Sequence, residues 1–413
     1  MRRIKQFFCL LFIFCLLFSM NSCVLLTGSL ALNEPEEILS ERPADEEPHM
    51  TEPPSVDRSD YEEKLEEILF LLENYLVDGY DPENLDDLLA QAMIASTGDR
   101  WSYYVSAEEY DAYVEDSNNA YVGIGITIQY VSEEDPGFTI VSVSANSPAY
   151  EAGLENGDIL THVEGQSVVA LGMDGAKNLV RGEEGTDVTL TVLRGESSFD
   201  IVVTRRLIEV EVVAYELLAH GVGYIQINNF DANCAKNTIA AIEALLEQGA
   251  ESLVFDLRFN PGGRKVELVE VLDYLLPEGP LFRSVDYAGN EEVDYSDKDC
   301  LEIPMAVLVN EDSYSAAEFF AAALQEYGAA VIVGTPTTGK ANYQQTFRLS
   351  DGSAIAISTG HYQTPNGVTL EGVGVTPDIV VEIDAETYLS LYYGELEKDA
   401  DAQLLAAIDA LIQ

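Results

Sequence analysis

Apolar residues recur at helical spacing from Tyr61 to Tyr80, where Leu65, Ile68, Leu69, Leu72 and Leu76 fall on one face of a predicted helix. A second helix is expected after Pro82, with Leu85, Leu88, Leu89 and Met93 as its apolar side. The period then changes. From Tyr121 to Arg206 short runs (VGIGITIQY, FTIVSVS, DILTHVEG, DVTLTVLRG, FDIVVTRR) alternate with glycine turns, the pattern of a compact β-rich module. A helical piece from Met173 to Val180 interrupts it. Beyond it strand and helix alternate: GVGYIQI, a helix over Ala235–Gln248, SLVFDLR, a helix over Val266–Leu276, a buried strand Met305–Val309, a helix Ser315–Tyr327 and a strand Ala330–Val333. That alternation predicts α/β layers. The last stretch, Ala385 to Ile412, reads as helical, with Leu404, Leu405, Ile408 and Leu411 as its stripe.

The ends of the chain have a different texture. Arg2, Arg3 and Lys5 precede an apolar run from Phe7 to Phe18, too short to span a bilayer and suited to the core of an export signal. Cys23 follows Ser22 at a position that resembles the lipid-acceptor cysteine of bacterial lipoproteins, and an uncleaved anchor extending through Leu26 is the competing reading. Each version puts the protein outside the cytoplasm, secreted or anchored on the outer membrane face. Five prolines among the acids of residues 33–58 read as a tether. The expected organisation is therefore a leader over 1–23, a tether over 24–59, a helical region over 60–118, a β-rich domain over 119–206, an α/β core over 207–384 and a helical segment over 385–413.

Composition narrows the partners. With 73 acidic and 21 basic side chains in 413 residues, the formal charge of −52 repels nucleic acid and anionic lipid. Three of five cysteines lie in the leader, and Cys234 and Cys300, 66 positions apart, read as unpaired, although an extracytoplasmic site would permit a disulfide. No CxxC, HExxH or His/Cys cluster is present, so neither a metal nor a cofactor is expected.

Candidate chemistry gathers in three segments of the α/β region. In MAVLVNEDSYSAAEFF a buried strand turns into a helix at Ser315, where unpaired amides and the macrodipole favour developing negative charge. Serine is also among the best N-cap residues, so this stretch alone leaves nucleophile and cap both open. Of the four histidines only His220 and His361 lie in the α/β region, and neither sits in a recognisable motif, so a Ser-His-Asp arrangement stays open without a residue pattern pointing to it. Lys340, in the glycine-flanked loop GTPTTGKANYQQ, is the alternative base, and its competing reading is a solvated loop cation. Gln344 lies four positions on and could orient an amine without raising its pKa. The third segment, SLVFDLRFNPGG, runs from a strand into a turn whose glycine amides can approach a ligand, or simply end the strand.

Together the run Ser313-Tyr-Ser315-Ala-Ala-Glu318, Lys340 25 positions after Ser315, Gln344, DLRFNPGG, GVTLEGVGVTPDIVVE and RWSYYVSAEEY resemble the carboxyl-terminal processing peptidases, over roughly residues 60–413. The resemblance implies a serine nucleophile at Ser315, a lysine base at Lys340, a supporting Gln344, and oxyanion donors at Gly262 or Gly263 and Ala316. It also implies a ClpP/crotonase-like protease core with an inserted PDZ domain, helical N- and C-terminal segments and a homodimer. Two positions depart from the family pattern: Ala341 stands where glycine is usual, and Tyr314 where a small residue is usual. YVGIGITI followed by SPAYEAGLENGDILTHVEGQ is similar to bacterial PDZ domains, which implies that amides around Gly123, Ile124, Gly125 and Ile126 cradle a peptide carboxylate. Ile124 and Ile126 have a plain reading as core, and Arg181, which resembles an activating arginine of some relatives, has one as an exposed loop cation. The function expected is an endopeptidase acting on proteins with free C-termini, its site completed by tail binding; the alternative is a catalytically silent PDZ-bearing scaffold.

Overall fold

The computed structural model describes residues 59–79, 82–130, 136–210 and 212–412. The expected leader, the tether and the Cys23 lipid site lie outside the described residues. Among those described, no helix is long and apolar enough to cross a membrane. The chain divides into two compact units: residues 105–210 with 350–353, and the segments on either side of them in sequence.

The larger unit is built on a sheet of six strands, in the order Val213–Leu217, Val222–Ile227, Ser252–Asp256, Met305–Val309, Ala330–Gly334 and Ile379–Val380. The first pair is antiparallel and the rest are parallel. Alternate residues of these strands enter two different cores, which is why the central strands are apolar without interruption. Ile225, Leu253, Phe255, Val307 and Ile332 pack with the helices Cys234–Glu247, Lys265–Leu275 and Ala316–Glu326. Tyr224, Val254, Ala306 and Leu308 pack instead with Leu404 and Ala407 of the helix Ala402–Ile412.

The C-terminal segment is not one helix. Ala385–Tyr392 and Ala402–Ile412 are separated at Gly394, whose left-handed φ of 70° ends the first. Asp401 opens the second by accepting the amides of Gln403 and Leu404, both at 3.1 Å. The same carboxylate holds the Arg258 guanidinium at 2.7 Å, and Asp256 holds it at 2.5 Å. All three side chains are buried, so the last helix is pinned to the strand end that leads into the NPGG turn. A second, antiparallel sheet was not foreseen from the sequence. It contains Gly279–Asp286, Glu291–Ser296, Asn342–Arg348 and Ala354–Gln363. Cys234 and Cys300 are both unpaired.

The smaller unit holds a sheet ordered Ile126–Gln129, Phe138–Val143, Ile159–Val163, Asp187–Arg194 and Ser197–Thr204, closed over a core that includes Ile140, Leu160, Leu190 and Val192. Ile126–Gln129 is its edge strand. The helix Val168–Val180 is broken at Gly172 (φ 74°, ψ 176°), so its regular part matches the helical piece expected from Met173. Arg205 reaches the end of that helix and donates to the carbonyls of Leu179 and Val180 at 2.8 and 2.9 Å.

Candidate active site

The turn between Met305–Val309 and Ala316–Glu326 is fixed from within. Ser313 is fully buried; its hydroxyl donates to the Leu257 carbonyl at 2.7 Å and accepts the Asn310 amide at 3.0 Å. Ser315 then stands at the helix N-terminus with φ 57° and ψ −124°. An ordinary N-cap residue sits in the β region. Ser315 does not; a left-handed φ at a strand-to-helix turn is strain of the kind concentrated at reacting nucleophiles.

The NPGG turn lies directly against it. Asn260, fully buried, donates to the Ile227 carbonyl at 2.7 Å, and its own carbonyl accepts the Tyr314 amide at 3.1 Å. Its side-chain oxygen accepts the Gly262 amide at 2.8 Å, so that amide is already engaged. Gly262 has φ 94°, and a Cβ there would come within 2.7 Å of Ser315 Cβ and 2.8 Å of the Ala316 nitrogen. Only glycine permits this approach. Gly263 is pressed as closely on the Phe230 backbone.

Glu318 joins Ser315 to Lys340. This carboxylate is completely buried in the first turn of the helix. One of its oxygens accepts the Ser315 amide at 3.0 Å and the Lys340 amide at 2.8 Å. The other accepts the Gly339 amide at 2.7 Å and the Thr337 hydroxyl at 2.5 Å. Burial raises the Glu318 pKa, and the hydrogen bonds from Thr337, Lys340, Gly339 and Ser315 oppose the rise. Two residues distant in sequence thus share one acceptor atom.

The Lys340 amine is held low in basicity by desolvation, to about 8, against the pull of Asp99, Glu318 and Glu371 and with some help from Arg100. Its Nζ lies 4.8 Å from the centre of the Trp101 ring and 5.7 Å from that of Tyr314. Glu371 braces the same loop, accepting the Ala341 and Asn342 amides at 2.7 and 3.2 Å and Trp101 Nε1–H at 3.3 Å. Gln344 points elsewhere: its Nε2 donates to the Asn342 carbonyl at 3.0 Å and to Ser358 Oγ at 3.1 Å. Ser358 and Ser102 hydrogen-bond Asp99, and despite burial they hold its carboxyl below the usual range. Gln344 therefore reaches the lysine's surroundings through Ser358 and Asp99. Among the described residues no cluster of His, Cys, Asp and Glu is arranged to hold a metal.

In the smaller unit, Gly123 ends a short strand paired with Arg206. Ile124 is 1% exposed and belongs to the core, with its carbonyl accepting the Ala149 amide at 2.9 Å. Gly125 has φ 78°, and a Cβ there would come within 2.4 Å of Ser147 Cβ. Ile126, half-buried, opens the edge strand. Arg181 is not an exposed loop cation: it is paired with Glu115 at 2.7 Å and lies over the Tyr121 ring at 4.6 Å.

Comparison with known proteins decides the relationship. The family model "Peptidase family S41" matches residues 221–381, and a PDZ domain model matches residues 139–194. A carboxyl-terminal-processing protease of Synechocystis is 33% identical over 328 residues, 78% of this chain and 75% of its own. The carboxy-terminal processing protease CtpA of Bacillus subtilis is 32% identical over 321 residues, 77% and 68% of the two chains. The chain belongs to peptidase family S41. A crystal structure from Bacteroides fragilis assigned to the S41 proteases has 19% identity, covers 81% of this chain and 91% of its own, and gives a TM-score of 0.50; it speaks to the fold alone. The S41 match spans Ser315, Glu318, Lys340 and Glu371, and leaves Trp101 outside it. Glu318 and Trp101 were not singled out from sequence. A serine followed three residues later by glutamate does signal a capping box, but nothing local announces that this glutamate also takes the Lys340 amide.

Proposed function

We propose that this S41 serine protease is an endopeptidase that captures unstructured protein C-termini in its PDZ domain and cleaves through an acyl-enzyme. Ser315 Oγ attacks the scissile carbonyl while the neutral Lys340 amine takes its proton. The tetrahedral oxyanion receives the amides of Ala316 and Gly263, since the Gly262 amide is engaged by Asn260. Collapse expels the amine product, protonated by the Lys340 ammonium, and water repeats the sequence in reverse to release the acyl group. The observation that carries this reading is the shared Glu318 oxygen, which accepts both backbone amides beside a lysine whose amine is tuned to about 8. Gln344 acts as a positioning residue through Ser358.

A terminal carboxylate would meet the backbone around Gly123–Ile126, and the peptide would extend the sheet along Ile126–Gln129, an available edge. Arg181, fixed between Glu115 and Tyr121, would sense it. We further infer export by the leader, with a membrane tether at Cys23 or an uncleaved anchor, and assembly as a homodimer. The test is degradation of a protein with an unstructured apolar C-terminal tail by the parent, Ser315→Ala, Lys340→Ala and Glu318→Gln. The two dyad variants are expected to lose cleavage, and Glu318→Gln to lose kcat far more than KM. Undiminished cleavage by Ser315→Ala and Lys340→Ala would remove the dyad. Tail binding without labelling of Ser315 by an acylating probe would favour a silent scaffold.

A further inference from the structure

No hydrogen bond or ion pair of Lys340 Nζ is formed among the described residues; its nearest ring contacts are Trp101 and Tyr314, and the charged groups around it act only at longer range. Trp101 and Tyr314 stack on each other with centroids 6.2 Å apart and planes at 24°. They come from unrelated segments. Trp101 precedes the smaller unit in sequence and is anchored by its indole N–H on Glu371, while Tyr314 immediately precedes Ser315 and is anchored by its amide on Asn260. Tyr314 is also the position where the resemblance to the processing peptidases leads one to expect a small residue.

We propose that the stacked Trp101–Tyr314 pair is the positioning device for the Lys340 amine, walling it from water and fixing its direction without offering it a hydrogen-bond acceptor. The proposal rests on the reading of Lys340 as the general base. A carboxylate in the same place would hold the amine as firmly, but it would favour the ammonium and remove the base. A ring excludes water and returns only a weak cation–π attraction. A small residue at 314 would leave one side of the amine open to solvent. The charged groups that face the amine come from other segments: Asp99 and Arg100 before the smaller unit, Glu318 on the helix and Glu371 in the late loop. None of them is removed by substitution at 314, and comparison of Tyr314→Ala with Tyr314→Phe separates the ring from the hydroxyl.

Competitive acylation of the lysines across pH, read by mass spectrometry on the full chain, reports the Lys340 midpoint without requiring proteolysis. The pH profile of kcat/KM is measured beside it. Tyr314→Ala is expected to raise the midpoint from about 8 by roughly one unit and to lower kcat/KM at neutral pH about tenfold, through kcat rather than KM. Tyr314→Phe is expected to restore both, because the ring and not the hydroxyl acts, and it also controls for folding. A midpoint unmoved in Tyr314→Ala overturns the proposal. A raised KM at an unmoved midpoint does the same and makes Tyr314 a substrate contact. The dyad fails separately: cleavage by Lys340→Ala at the parental rate removes the base, while the labelling midpoint still reports on the rings.

Discussion

Lys340 costs the fold stability, which its proposed role as the base would explain. Its amine titrates near 8 in the folded protein against a reference of 10.5, because burial disfavours the ammonium. Between those two values the unfolded chain binds the proton more tightly, so stability rises with pH through that window. Below pH 8 the penalty is present in full, about 3 kcal/mol from the shift at roughly 1.4 kcal/mol per unit. It follows that Lys340→Met, close in volume and uncharged, should abolish cleavage while stabilising the protein at pH 7 by about 2–3 kcal/mol. Urea denaturation of the two proteins at pH 7 and at pH 10 checks this. The gain should shrink toward the higher pH, and a gain that is absent at pH 7 or constant with pH would remove desolvation as the cause. Ser315 belongs with it in being strained: its φ of 57° lies outside the β region that an N-cap ordinarily occupies, as the proposed nucleophile role would explain.

At the scale of elements, the sharpest dependence is on Arg258. It sits two residues before Asn260 on the way into the NPGG turn, and its guanidinium is shared by Asp256, Asp401 and Gln403. Arg258→Met would leave two buried carboxylates uncompensated, which is expected to destabilise by about 3–5 kcal/mol. A shift in the denaturation midpoint of that size, accompanied by loss of cleavage, would show that the Ala402–Ile412 helix braces the turn; a shift under about 1 kcal/mol would show that the pair contributes little. None of this was readable in sequence, because Arg258 and Asp401 are 143 positions apart. What could be read were features carrying their own local cause. Met305–Val309 is five consecutive apolar residues between Pro304 and Asn310, and it is a strand over those same residues. The antiparallel sheet escaped because its strands are half-buried and carry charges on both faces, as Glu291, Glu292 and Asp294 do in Glu291–Ser296, and because Ser284 pairs on one side with Glu292 but on the other with Tyr362, far along the chain. The site divides in the same way. Ser315, Lys340 and the glycine turn lie in motifs, but Glu318's link to Lys340 is 22 positions long and Trp101's to Glu371 is 270.

For the molecule as a whole, charge and exposed apolar surface pull in opposite directions. The helix Ser59–Tyr75 leaves Ile68, Phe70 and Leu71 about half exposed, whereas in Ala402–Ile412 the residues Leu404, Ala407, Ile408 and Leu411 pack on its own sheet and only Leu405 of the expected stripe is exposed. The N-terminal helix is therefore the surface that a homodimer would bury. Two chains of formal charge −52 repel each other, and that repulsion reaches about 30 Å at 0.01 M salt but only about 8 Å at 0.15 M. Apolar burial is short-ranged and depends little on salt over that range. Light scattering should accordingly give the mass of two chains at physiological salt and move toward one chain as salt is withdrawn. Phe70→Asp, which adds a charge to the exposed apolar face, should give a single-chain mass under both conditions. A single-chain mass for the parent at physiological salt would end the dimer, and a double mass in the Phe70→Asp variant would move the interface off this helix.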